Sequence, residues 1–180
     1  YEGEFKDNMK DGKGKLFFSN GIVYEGEFKN NLFNGVGKIM KNGTLIYEGE
    51  FKDHMKDGKG KFFFPNGTVY EGEFKNNLMD GLGKIMKNNG TLIYEGEFKN
   101  NEFNGYGKFL YSNGYIYEGE FKDDKFNGQG KIMYENLVIY EGEFKNDVYN
   151  GYGKLLKDNG TYEYGFYKNG KLSIRDNWED

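Results

Sequence analysis

The hexapeptide Tyr-Glu-Gly-Glu-Phe-Lys begins at Tyr1 and returns at Tyr24, Tyr47, Tyr70, Tyr94, Tyr117 and Tyr140. The spacing is 23 residues, with one 24-residue copy caused by the extra residue in Asn88-Asn89-Gly90. A unit this short cannot bury a core alone, so successive copies must stack and share one. A degenerate eighth copy starts at Glu163 and keeps Gly165 among the aromatics Tyr164, Phe166 and Tyr167. The expected organisation is seven full repeats over residues 1–162, then a degenerate eighth repeat and C-terminal cap over 163–180.

Within a unit, glycine stands at position 3 in all eight copies, from Gly3 to Gly165. It also stands at positions 12 and 14 in the seven full copies, from Gly12 and Gly14 to Gly151 and Gly153. The remaining seven of the 29 glycines fall in turn sequences, which leaves none for a phosphate-binding loop. Tyr-Glu-Gly-Glu-Phe-Lys alternates with period two, the mark of a strand. The Asp/Asn residues that follow, together with Gly12, predict a turn. Gly-Lys with two or three apolar residues predicts a second strand, and Asn-Gly closes the unit. Each unit is therefore one β-hairpin. Tyr at position 1, Gly at 3 and Phe at 5 share one face; Glu at 2 and 4 and Lys at 6 share the other. Glycine weakens a strand unless another group lies on it, so the rings are expected to lie flat over neighbouring glycine backbones. The predicted fold is all-β: an elongated, twisted, single-layer antiparallel sheet of tandem hairpins. At about 10 Å per hairpin, eight repeats would extend roughly 75 Å.

The recurring segment YEGEFKNNLFNGVGK resembles the MORN repeat (membrane occupation and recognition nexus), and the resemblance covers residues 1–171. It implies the same twisted antiparallel sheet, with work in protein binding, self-association or membrane-contact targeting. The Asn/Lys-rich composition is similar to that of protist, including apicomplexan, cytoskeletal scaffolds of the family. A longer period lies over the first. Residues 1–46 and 47–93 differ by seven substitutions and one inserted Asn. Odd copies there carry a Phe run (Leu16-Phe17-Phe18, Phe62-Phe63-Phe64), and even copies carry Ile39-Met40-Lys41 or Ile85-Met86-Lys87. That alternation has no functional account at the level of sequence.

Composition narrows the function. The net charge is -4 with Lys and Glu interleaved, which gives no basic attraction for nucleic acid. With no Cys there are no disulfides or thiolate metal sites, in keeping with a reducing compartment. The expected setting is cytoplasmic, and the resemblance implies association with the cytoskeleton or a membrane. No apolar run approaches a membrane span, and no leader is visible. The first residue is Tyr1 rather than Met, as expected of a piece of a longer protein. The paired carboxylates, from Glu2/Glu4 to Glu141/Glu143, recur seven times, so they suit a ladder with lysines such as Lys15 and Lys38 better than one active site. The single histidine, His54, takes the turn position held by Asn8 in the duplicate and is expected at the surface. Asp7-x-Met9-x-Asp11-Gly12 lacks calcium-loop ligands, and Gly12-Lys13-Gly14-Lys15 lacks the phosphate-loop spacing. Asn42-Gly43-Thr44 and its counterparts at Asn66, Asn89 and Asn159 read as turns rather than glycosylation sites.

A one-layer sheet has no opposing layer, so its aromatic face is the expected binding surface. The candidate groove residues are Tyr24, Phe28, Tyr47, Phe51, Tyr70, Phe74, Tyr94, Phe98, Tyr117 and Phe121. Internal packing is the competing role for any single ring. Apolar hairpin-tip residues (Leu32-Phe33, Leu78-Met79, Phe103, Phe126, Val148-Tyr149) make a second row. For the cap and self-association the candidates are Tyr164, Tyr167, Leu172, Ile174 and Trp178. The expected activity is a non-catalytic protein-interaction scaffold without metal or cofactor. Its expected partner is a helical or extended segment of a cytoskeletal or signalling protein. Homodimerisation and weak binding to anionic lipid are further expectations, and a phosphoinositide-binding module or the targeting arm of a larger enzyme are the rival readings.

Overall fold

The computed structural model describes residues 1–175, all of whose regular elements are strands. The sixteen strands follow chain order in one antiparallel sheet. The predicted class holds. Two compact units are distinguished, Tyr1–Leu92 with Lys99–Asn101, and Ile93–Phe98 with Glu102–Asp180. Unit 1 carries β1 (Glu2–Lys6), β2 (Met9–Phe17), β3 (Ile22–Lys29), β4 (Leu32–Lys41), β5 (Thr44–Lys52), β6 (Met55–Phe63), β7 (Thr68–Lys75) and β8 (Leu78–Lys87). Unit 2 takes residues 93–98 of β9 (Leu92–Lys99), with β10 (Glu102–Leu110), β11 (Tyr115–Lys122), β12 (Lys125–Tyr134), β13 (Leu137–Lys145), β14 (Val148–Leu156), β15 (Tyr162–Lys168) and β16 (Lys171–Arg175).

The turn inside each repeat is shorter than the sequence suggested. It contains two residues, both with positive φ: Asp7 at 51° and Asn8 at 62°, with the same pattern at Asn30-Asn31 and Asp53-His54. Two left-handed residues in succession form the hairpin turn whose twist matches that of the flanking strands. Gly12 therefore does not belong to the turn. It lies well inside β2 with φ +95°, opposite an irregularity in β1. There the register jumps from Gly3↔Gly14 to Phe5↔Lys10, so Glu4 alone faces three residues of its partner strand. The same shift recurs between Gly26 and Phe28, Gly49 and Phe51, and Gly142 and Phe144.

Such a bulge takes backbone groups out of the ladder, and a buried group without a partner is costly. Each repeat supplies its own replacements. The Tyr24 hydroxyl donates to the Glu27 carbonyl at 2.8 Å, and Tyr47, Tyr70, Tyr94 and Tyr117 repeat the bond to Glu50, Glu73, Glu97 and Glu120 at 2.7–2.9 Å. On the other strand the Lys59 N–H donates to Glu50 Oε1 at 2.9 Å, and Tyr106, Gln129 and Tyr152 do the same to Glu97, Glu120 and Glu143. Reaching that carbonyl lays the Tyr24 ring across Gly26 and Gly37. A Cβ on Gly37 would fall 2.7 Å from ring carbons of Tyr24. This is the expected packing of rings on glycine.

Closing turns come in two lengths. Asn42-Gly43 links Lys41 to Thr44 directly. Phe18 and Ile22 instead bracket three residues, with the Phe18 N–H on the Ile22 carbonyl at 2.9 Å. The Asn inserted near residue 88 turns the short loop into the long one, since the Lys87 N–H bonds the Thr91 carbonyl and Gly90 N–H the Lys87 carbonyl. The extra residue of the 24-residue copy is thus absorbed in a loop.

Candidate binding face

The aromatic face is built in two levels. At the lower level, Tyr24, Phe28, Tyr47, Phe51, Tyr70, Phe74, Tyr94, Phe98, Tyr117 and Phe121 are buried, with the six-membered rings of the tyrosines at 0% exposure and the phenylalanines at 3–5%. Each phenylalanine meets tyrosines edge-on: Tyr24 contacts Phe28 at 5.1 Å and Phe51, from the next repeat, at 5.2 Å. Rings from successive repeats interlock in this way, with edge-to-face geometry that aromatic pairs favour. Burial pushes the Tyr24, Tyr47, Tyr70, Tyr94 and Tyr117 phenols well above their ordinary range, with the adjacent glutamate charge adding to the shift. These ten side chains are the core of the sheet. The surface they were expected to offer a partner is already taken by one another.

Residues at position 10 of the repeat form the upper level. The two-residue turn pairs position 10 directly with the Phe at position 5, as in Phe28↔Phe33, Phe121↔Phe126 and Phe144↔Tyr149. Position 10 therefore returns to the face of the tyrosine. Phe33 stacks on Tyr24 with centroids 3.7 Å apart and planes 5° from parallel. Phe103 stacks on Tyr94 at 3.8 Å, and Tyr149 on Tyr140 at 3.7 Å. The hairpin-tip residues expected to form a separate row are the outer layer of the first. Phe33, Phe103 and Tyr149 are half-buried, whereas Phe126 is closed to 9% exposure, with Tyr111 6.5 Å away. Phe18 and Tyr111 stand beside this layer at 43% and 40% exposure. Both lie one residue past the end of a strand, Phe18 after β2 and Tyr111 after β10.

Unit 1 breaks the outer row where unit 2 does not. Its position-10 residues are Lys10, Phe33, Lys56 and Met79, against Phe103, Phe126 and Tyr149 in unit 2. Lys56 Nζ lies 4.6 Å from the Phe62 ring centre and 5.3 Å from that of Tyr47. Burial lowers its pKa. Lys10 Nζ takes the equivalent place over Tyr1 at 5.5 Å.

The opposite face carries the lysine–glutamate pairs. Lys15 pairs with Glu25 at 3.1 Å, Lys61 with Glu71 at 3.2 Å, and Lys154 with Glu141 at 2.8 Å. The expected ladder is therefore made by the position-2 glutamates alone, while those at position 4 hold the bulge. At position 13 this face also exposes Val36 and Leu82 in unit 1, and Tyr106 and Tyr152 in unit 2. His54 is tied in more closely than expected. Its Nδ1 accepts the Phe33 N–H at 3.2 Å, and its ring lies edge-on to Phe33 at 4.6 Å. Asn31, Asn77, Asp124 and Asp147 hold the same position and accept from Lys10, Lys56, Phe103 and Phe126.

The candidates for the cap do not gather in one place. Tyr167 is buried at 1% exposure and continues the core, with its centroid 5.5 Å from Tyr140. Leu172 pairs with Tyr167 across the last hairpin. Tyr164 pairs with Lys154 on the charged face, where Ile174 stands exposed opposite Phe166. Trp178 lies outside the described residues.

One bulged hairpin, repeated with its own hydrogen-bond replacements and its ring-on-glycine contact, defines a tandem β-hairpin repeat protein. The chain belongs to the MORN-repeat family: the family model matches residues 1–23, 24–44, 47–69, 70–92, 94–114, 117–136 and 140–162. A comparison with curated proteins finds no match.

Proposed function

We propose that this chain is a non-catalytic scaffold whose aromatic face holds a helical segment of a partner protein. The observation that carries the reading is the outer layer of rings. Phe33 in unit 1 and Phe103 and Tyr149 in unit 2 each spend one ring face on a core tyrosine and remain half-buried, and among the described residues no second layer of secondary structure covers them in either unit. Spacing favours a helix over an extended strand. Successive position-10 residues are two strands apart, about 10 Å. Seven residues of helix rise about 10.5 Å and return to the same face. Three residues of extended chain cover the same distance but end on opposite faces. On the charged face the lysines are held by glutamates, which supports a protein partner over an anionic membrane.

The test compares proteins captured by the wild-type chain, by Phe103→Ser/Tyr149→Ser, and by Tyr106→Ser/Gln129→Ser on the charged face, all confirmed folded by circular dichroism. A partner retained by the third and lost by the second supports the reading. Equal retention by all three would remove it.

A further inference from the structure

We propose that unit 1 selects an acidic helical segment, reading its carboxylates with Lys56 and Lys10 on either side of the Phe33 ring. This rests on the aromatic face being the docking surface and adds which partner chemistry unit 1 accepts.

Lys56 occupies a position that holds lysine in the first repeat as well and an aromatic ring or a methionine in the other full repeats, and its ammonium stands in an aromatic recess. Phe62 and Tyr47 lie 4.6 and 5.3 Å from Nζ, and Phe74 lies 6.0 Å away. Phe64 closes on Phe62 at 4.9 Å. The backbone cannot move to relieve the charge, because the Lys56 N–H donates to Asn77 Oδ1 and the Lys56 carbonyl accepts the Asn77 N–H, both at 2.9 Å. Among the described residues Lys56 enters no ion pair, although five lysines of the other face do so with position-2 glutamates. Burial alone, unopposed by any neighbouring carboxylate, displaces its titration downward. Ring faces attract a cation but do not neutralise it. A half-buried charge without a counter-ion gains more from an arriving anion than a solvated lysine would, because water has already been partly removed.

Placement extends the argument to a pattern. Lys10, Phe33 and Lys56 fall in three consecutive repeats on the same face, about 10 Å apart. A helix reaches three such points with residues seven apart. The matching sequence is acidic, apolar, acidic. Charge at the level of the units agrees. Unit 1 has fifteen Lys against thirteen Asp and Glu, a net charge of +2, whereas the segments of unit 2 have ten Lys and Arg against sixteen Asp and Glu, a net charge of -6. At position 10 of the duplicated block the odd copies supply the cation, Lys10 or Lys56, and the even copies an apolar residue, Phe33 or Met79.

Two synthetic helical peptides test this on the full chain by fluorescence anisotropy. Both carry leucine at a central position; seven residues to either side one has glutamate and the other glutamine. Wild type is expected to bind the glutamate peptide roughly tenfold more tightly. In Lys56→Met, which installs the residue found at Met79, that preference should shrink to about twofold or less, while Lys56→Arg keeps it. Thermal unfolding reports whether the variants remain folded. Equal affinity of wild type for the two peptides, or an undiminished preference in Lys56→Met, overturns the inference and leaves the aromatic face as a docking site. Failure of both peptides to bind overturns the inference and the docking face together. Lys56-dependent binding of phosphatidylserine vesicles without peptide binding would assign the lysine to lipid and overturn it as well.

Discussion

The ring of Phe126 lies flat on that of Tyr117, with centroids 3.6 Å apart and planes 7° from parallel. Phe121 and Phe144 meet it edge-on at 5.3 and 5.9 Å, so one side chain from the hairpin tip joins three core rings. Phe126→Ala should cost about 3 kcal/mol, the usual loss for a buried aromatic, in urea unfolding. Phe33→Ala, at a half-buried equivalent, should cost clearly less. The reverse order would mean that burial does not govern the outer layer.

Glycine substitutions separate close approach from backbone conformation. Gly37→Ala places a methyl group against the Tyr24 ring, and should destabilise by roughly 3 kcal/mol through overpacking. Gly43 has φ +79° and nothing within 4 Å of a Cβ, so Gly43→Ala should cost only the left-handed penalty, about 1 kcal/mol. Similar losses for the two would contradict ring-on-glycine packing as the reason for the pattern.

The two glutamates of a repeat should respond differently to removal. Glu141 makes a surface ion pair with Lys154, and Glu141→Ala is expected to cost under ~0.5 kcal/mol, less at high salt. Glu143 is half-buried and accepts the Tyr152 N–H at the bulge at 3.0 Å. Glu143→Ala should cost about 1 kcal/mol with little salt dependence. Denaturation at two salt concentrations distinguishes the cases; a salt-sensitive Glu143 would place it in the ladder instead.

His54 makes a turn contact that asparagine makes elsewhere. His54→Asn should therefore leave stability within ~0.5 kcal/mol of wild type, while His54→Ala loses the acceptor for the Phe33 N–H and costs about 1 kcal/mol. A large loss in His54→Asn would point to a role for the imidazole that Asn31 and Asn77 do not share.

Alkaline pH should unfold the sheet rather than merely ionise it. Tyrosine titrates near pH 10 in an unfolded chain, and burial raises the phenols of Tyr24, Tyr47, Tyr70, Tyr94, Tyr117 and Tyr140 above that. A raised folded pKa means that the protonated phenol contributes stability fully below about pH 10. The contribution is lost as pH climbs toward the folded value. The buried share of tyrosinate absorbance should thus appear together with loss of the far-ultraviolet sheet signal. Complete ionisation with that signal intact would refute the assignment.

Period-two alternation made the strand at positions 1 to 6 and its two faces legible, because the seven full copies repeat the same six residues. Ring-on-glycine packing followed from Gly3 standing between Tyr1 and Phe5. The second half of the repeat was less open to reading. Placing Gly12 in a turn left positions 9 to 12 without an assigned face, and so Phe33 and Lys56 were not seen to share the side of Tyr24 and Tyr47. Only the Asp7-Asn8 turn, with the bulge at Glu4, fixes that parity. Burial of the groove candidates was equally hidden. Alternation says which residues share a face; it does not say that Phe51 of one repeat fills the space beside Tyr24 of another.

The hydrogen bonds at the bulge stay within a repeat, as from Tyr47 to Glu50 and from Lys59 to Glu50, whereas those at the tip cross to the next, as from Lys10 to Asn31 and back. A gene segment encoding one whole repeat can therefore be copied into the array with its interior already satisfied. At each new seam the incoming tip residue offers the same pair of bonds that the displaced one made. Lengthening by duplication needs no compensating mutation elsewhere, and the near-identity of residues 1–46 and 47–93 records such an event in this chain. Novelty can then arise one position at a time, since exchanging the position-10 side chain changes what a repeat presents without touching how it is joined.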